Sequence, residues 1–340
     1  MYKWLEPALK ALLDQRKNPH HALLIQGQEG LGLPQLAKAF ATALMCENPI
    51  KAGEFTGHAC KQCASCCLMA VDNHLDYFPL SPESEDALSV TEPSTDKTAP
   101  LSTQIKVEAV RALIDSLAVT SHRNVQRVIV VDPADALNSI AANALLKILE
   151  EPPENVVFLL LSSRPGRLLP TIRSRCRLFV VTSHSVRENA IDWLKEQGVS
   201  HAQAWLEASR GAPLEAQKLA VEFDTLDINS RSKAWLEANL SQVLATAQGL
   251  KRPDLKAWLG WWYRFITDCA RVAQQGKPLF FTQDTLALRR LADKQPQNRW
   301  MEYLSVVESS LRSAEHPLSV ALVTDALLVQ YCGMLALEQP

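Results

Sequence analysis

The sequence predicts an α/β domain followed by an all-helical half, and two observations carry that division. Short continuous apolar runs recur at 22–25, 128–131 and 156–161, the pattern of strands buried on both faces, and they alternate with helical segments. From Ser183 onward the pattern turns entirely helical.

Bulk properties bound the answer. The chain has 340 residues, 47% hydrophobic and 21% charged, enough for two or three globular domains, each with its own core. A formal net charge of −2 argues against a uniformly basic nucleic-acid-binding surface, while a local basic patch stays open. Residues 1–18 lack the apolar core of a signal peptide. No stretch offers the roughly 20 apolar residues of a membrane span. A cytoplasmic location is expected, so the eight cysteines are read for metal before disulfides.

Taken in order, residues 1–17 place Leu5, Leu9, Leu12 and Leu13 at helical spacing, and Asn18-Pro19 ends the helix. A buried strand at 20–26 leads into a glycine turn holding Gly27, Gly30 and Gly32, and an alanine-rich helix follows over 35–45. Strand, glycine-rich turn, helix is the setting of a phosphate-binding loop, and Gly27 to Gly32 has its spacing. The next two positions should be Lys, for the β- and γ-phosphates, and Ser or Thr, for Mg²⁺. Here they are Leu33 and Pro34, which supply neither charge nor hydroxyl. The segment is either a degenerate nucleotide loop or a plain glycine turn, and ATP hydrolysis in this site is not expected on either reading.

Cys60, Cys63 and Cys66 follow in C-x-x-C-x-x-C spacing, and Cys46, at the end of the preceding helix, is the nearest fourth ligand. Four thiolates suit a closed, structural Zn²⁺ site, and an iron–sulfur cluster is the competing metal. Cys67 is a spare, and His58 a weaker competitor for Cys46, which is separated from Cys60 by a loop of thirteen residues. Residues 73–80 begin as a turn and become a strand. Residues 81–104, rich in Ser, Thr, Pro, Asp and Glu, read as a surface loop. A helix over 108–117 precedes the strand at 128–131, whose C-terminal end carries Asp132. That is the place of a Mg²⁺-associated acid, yet Pro133 stands next, and a strand-end Asp is common in any α/β protein. A helix over 139–151 is stopped by Pro152-Pro153.

The strand at 156–161 then opens onto Arg173-Ser174-Arg175-Cys176-Arg177 and a second apolar run, 178–181. Three arginines in five residues make either a solvated turn or a guanidinium aimed at an anion.

The order HHALLIQG, glycine loop, cysteine cluster, NHLDYFPL, VIVVDPADALNSIAANALLKILEEPPENVVFLLLSS, RSRCRLF resembles the bacterial DNA polymerase III clamp-loader family over about the first 220 residues. The resemblance implies an AAA+ fold: a RecA-like domain at 1–182 with a zinc module at about 46–67, a helical lid at 183–222 and a helical collar at 223–340. It makes Arg175 of the Ser174-Arg175-Cys176 motif an arginine finger, reaching ATP held by a neighbouring subunit. Loss of the Lys and Ser/Thr sets the chain apart from the ATPase γ/τ subunits. The implied partners are γ/τ and δ subunits, with the sliding clamp and primed DNA met through the complex, as part of a DNA polymerase holoenzyme. An active AAA+ ATPase and a zinc-dependent nucleic-acid-binding protein are the alternatives. Cys176 reads as a packed thiol, and Ser162 and Ser163 as strand-end serines.

In the second half, helices are expected at 185–197, 202–209 and 214–221. Arg210 is the candidate nucleotide-sensing Arg of a lid, or simply a helix-end cation before Gly211. The aromatic stripe at 258–265 reads as helix-packing core rather than a base-stacking platform. The final helix, 317–337, is apolar around much of its circumference.

Overall fold

A computed structural model describes residues 1–15, 20–51, 53, 56–82, 104–117, 126–182, 187–314 and 319–336. The body of the predicted surface loop (83–103) lies outside the described residues, as do the helix positions expected at 16–17, 185–186, 317–318 and 337. The chain divides into two compact units, Met1–Asp192 and Trp193–Pro340.

The first unit is built on a five-stranded sheet, with β1 (Ala22–Gln26), β2 (Tyr77–Leu80), β3 (Arg127–Val131), β4 (Val156–Ser162) and β5 (Arg177–Val180) in the order β2-β3-β4-β1-β5. Every pairing is parallel. Parallel strands need crossovers, and the crossover helices cover both faces, so the central strands are apolar at every position rather than at alternate ones. All seven residues of β4 are buried. Ile129, Val131, Phe158 and Leu160 meet Val110 and Leu113 of α4 (Val107–Leu117) and Leu145 and Leu149 of α5 (Ser139–Glu150). Helix α2 (Leu33–Met45), preceded by α1 (Glu6–Leu13), packs against β3 and β4. A short helix, α3 (Ala64–Ala70), stands between α2 and β2.

Two segments differ from the sequence expectation. The basic stretch before β5 is not a turn: residues Pro170–Arg175 form a helix, α6, with Pro at its start and the buried Ile172 as its anchor. The run after it is buried only at Val181. Strand β5 is a sheet edge, with Leu178 and Val180 55% and 52% exposed. Apolarity alone cannot distinguish an edge strand from a central one when nothing covers it.

The second unit is helical: the end of α7 (Arg187–Glu196), then α8 (Ala202–Ala208), α9 (Pro213–Thr225), α10 (Ile228–Glu237), α11 (Leu240–Ala245), α12 (Arg252–Ala273), α13 (Thr285–Ala292), α14 (Gln297–Arg312) and α15 (Val320–Ala336). Its axis is α12, where Trp258, Trp261, Trp262, Phe265 and Cys269 recur at helical spacing and are all fully buried. Trp258 and Trp262 stack at 5.8 Å, and Trp235 meets Trp262 edge-on at 5.0 Å. Three polar ends are satisfied internally: Trp262 Nε1 donates to Tyr303 Oη (3.1 Å), Tyr303 to the Leu327 carbonyl (2.7 Å) and Tyr331 to the Trp235 carbonyl (2.7 Å), while Trp258 and Trp261 Nε1 are buried without a hydrogen-bond acceptor among the described residues. The aromatic stripe is therefore core, as its spacing predicts. No described helix is long and apolar enough to cross a membrane.

Candidate functional site

The glycine turn after β1, whose spacing is that of a phosphate loop, is packed by apolar side chains. Gly30 and Gly32 take φ of 83° and 92°, the left-handed region that favours glycine. Leu33 and Pro34 are not turn residues: they open α2, with Pro tolerated in a first turn that has no N–H partner to lose. A methyl group on Gly27 would lie 2.9 Å from Leu33 Cδ2 and 3.3 Å from Leu31 Cδ1. The leucine at the lysine position thus folds back over the loop, with Leu31 and Leu33 both buried. From the other side comes the chain's own N-terminus. Trp4 is 2% exposed and its Nε1 donates to the Leu31 carbonyl at 2.9 Å. Tyr2 stacks on Trp4 at 4.4 Å, and both Tyr2 and Leu5 come within 3.3 Å of the Gly32 Cβ direction. Sequence reasoning missed this plug. Its signal was a Trp and a Tyr at the very start of an otherwise leucine-based helix.

Asp132, just beyond the end of β3, is half-buried, and its carboxyl is held above the usual carboxylate range by burial and then by the nearby Asp135. Asp135 is also tied to β4, accepting from Ser162 Oγ at 2.7 Å; Ser162 Oγ in turn accepts from the Arg164 N–H at 3.1 Å. Ser162 is therefore a strand-end serine, as expected, and a buried link from β4 to the turn after β3.

Arg175 is the last residue of α6, and its side chain is 34% exposed. Nη1 donates back along the helix to the Thr171 carbonyl at 2.9 Å, and Nη2 pairs with Glu150 Oε1 at the end of α5. The two helix ends meet because Ile172 and Leu149 share one buried cluster. Ser174 donates to the same Thr171 carbonyl (3.0 Å), while Cys176 is half-buried against the cluster, its thiol pushed up to about 11 by burial. Arg173 and Arg177 are exposed. In the second unit, Arg210 is also exposed, with φ of 55°, just past the end of α8, where Gly211 N–H returns to the Leu206 carbonyl at 2.7 Å.

The cysteines come together as their spacing predicts. The sulfurs of Cys46, Cys60, Cys63 and Cys66 all lie within 4.8 Å of one another and could hold a metal ion. Cys46–Cys63 is 3.9 Å and Cys60–Cys66 is 4.0 Å. A tetrahedron of thiolates at a metal–sulfur distance of about 2.3 Å has edges of about 3.8 Å, so the cage matches. Backbone N–H groups point at sulfur throughout: Cys60 N–H to Cys46 Sγ and Cys63 N–H to Cys60 Sγ (both 3.3 Å), and Cys66 N–H to Cys63 Sγ (3.4 Å). Such donors favour the thiolate a metal requires, and those from Gln62 and Cys63 lower the Cys60 thiol to about 6. Cys46 and Cys66 shift the other way, chiefly through burial. Glu47 braces the module, accepting from both Ser65 N–H (3.1 Å) and Ser65 Oγ (2.7 Å). The two competing ligands point elsewhere: His58 faces Glu6 at 3.5 Å, and the exposed Cys67 reaches the Gln62 carbonyl.

A sequence model described as "DNA polymerase III, delta subunit" matches residues 5–185. The DNA polymerase III subunit delta′ of Pseudomonas aeruginosa is 35% identical over 223 residues, 64% of this chain and 61% of the relative. That of Yersinia pestis is 33% identical over 298 residues, 84% of this chain and 81% of the relative. That of Escherichia coli K12 is 35% identical over 212 residues, 62% of this chain and 57% of the relative. The matched region thus spans less than two thirds of the Pseudomonas and Escherichia proteins. With this breadth of match, the chain belongs to the DNA polymerase III delta′-subunit family.

Proposed function

We propose that this chain is the noncatalytic delta′ subunit of a bacterial DNA polymerase III clamp loader, an AAA+ subunit that lends Arg175 to a neighbouring ATPase subunit while hydrolysing nothing itself. The observation that carries the reading is a contrast within one domain. The loop that should cradle phosphate is packed with Leu31, Leu33 and Trp4, while Arg175 keeps its guanidinium at the surface. A guanidinium supplied in trans neutralises charge developing on a transferred γ-phosphate, with effects of about 10³–10⁵ in GTPase systems. An active ATPase would need a cation at position 33, and leucine offers none.

The cysteine cage then holds structural Zn²⁺. Four sulfur ligands leave no open position, so the ion stabilises the module and catalyses nothing. The RecA-like part at 1–182, the lid at 183–222 and the collar at 223–340 describe the roles of the chain's regions. Helix α15 suits the collar's role in subunit contact. Beside its buried Leu327, Leu328 and Tyr331, it leaves Leu322 and Val329 66% and 50% exposed, so its outer face is nearly as apolar as its inner one. Partners are γ/τ subunits and the δ subunit in the cytoplasm, with the sliding clamp and primed DNA met through the complex.

The test is reconstitution. Purified γ/τ and δ subunits are mixed with or without this chain, and transfer of labelled sliding clamp to primed DNA is measured. Clamp loading that requires the chain supports the reading; loading at the same rate without it contradicts it.

A further inference from the structure

The contact between Arg175 and Glu150 has a consequence for how the finger is used, and it rests on the trans role proposed above. Of the five N–H donors of a guanidinium, one goes to the Thr171 carbonyl and one to Glu150, and among the described residues the remainder are unengaged. Glu150 sits badly for its own helix. It is the last residue of α5, where the dipole favours a cation and disfavours a carboxylate. Arg175, the last residue of α6, is well placed by the same rule. The pair is therefore not explained by helix stability on the Glu150 side. A carboxylate bound to the finger also works against it. It neutralises the guanidinium in advance, and it would stand as a like charge beside an incoming phosphate.

Both side chains are substantially exposed, 34% for Arg175 and 49% for Glu150, so the pair is of the weak, solvent-screened kind that exchanges readily. We propose that Glu150 is a latch: in the unengaged subunit it holds the Arg175 guanidinium against α6, and it yields the guanidinium to phosphate oxygens of a nucleotide bound by the neighbouring subunit. The Thr171 carbonyl, a neutral acceptor on the same helix, keeps the side chain oriented while the anion is exchanged. Glu150 is thus a positioning residue acting through Arg175, and assembly must overcome it each time the finger engages.

The experiment is single-turnover ATP hydrolysis by the reconstituted complex, with sliding clamp and limiting primed DNA. It compares wild type with Glu150→Gln, Glu150→Asp, Arg175→Ala and the Glu150→Gln/Arg175→Ala double variant, each checked for assembly by gel filtration. The latch predicts that Glu150→Gln raises the rate of the Arg175-dependent phase by about two- to fivefold, the most that an exposed ion pair should withhold. Glu150→Asp, charged but a methylene too short, should rise in the same direction. The double variant should match Arg175→Ala alone. An unchanged or slower phase in Glu150→Gln, with Arg175→Ala still defective, overturns the latch and leaves the trans role standing. An Arg175→Ala complex that hydrolyses normally removes the trans role and the latch with it.

Discussion

Gly27 shows how tightly the glycine turn after β1 is packed. A Cβ there would meet Leu33 Cδ2 at 2.9 Å, so Gly27→Ala forces a repacking and should destabilise the chain by about 1–3 kcal/mol in chemical denaturation. Trp4→Ala should cost about 3–5 kcal/mol, since it removes a fully packed indole and orphans the Leu31 carbonyl. Neither change should create ATP binding, and isothermal titration with Mg-ATP should stay flat for both. The missing lysine was legible in the sequence because a P-loop is a local motif. The plug was not, because Trp4 and Leu31 are joined by folding across 27 residues. Glu150 escaped for the same reason: it reads as the end of an amphipathic helix until α6 is brought beside it.

At the scale of elements, the cysteine module is the most legible part of the chain. C-x-x-C-x-x-C supplies three candidate ligands, and the end of α2 delivers Cys46 as the candidate fourth, across a loop whose length no spacing rule constrains. Metal analysis of the purified chain should find one equivalent of zinc. Cys63→Ser or chelation should remove it and lower the melting temperature, with loss of order around α3 as seen by hydrogen exchange. In the second unit, Trp262→Ala should destabilise by about 3–5 kcal/mol, because it empties the centre of the aromatic cluster and removes the donor to Tyr303 Oη. The stripe on α12 announced itself by helical spacing. Strand β5 did not announce its exposure, since burial depends on what covers a strand and not on the strand itself.

For the whole molecule, alternation of apolar runs with helices was enough to read an α/β unit followed by helices, and the parallel pairing of the strands follows from crossovers that cover both faces. Strand order itself is a long-range property and needed the structure. So did the pairing of a filled loop with an exposed arginine, the observation behind the proposed division of labour between subunits. That division is measured most directly by single-turnover ATP hydrolysis of the reconstituted loader on primed DNA with its clamp, comparing wild type with Arg175→Ala in complexes of equal assembly. The account predicts that the variant loses the hydrolytic phase contributed by the site facing this subunit and loads clamp more slowly. A wild-type time course from a fully assembled Arg175→Ala complex would contradict it.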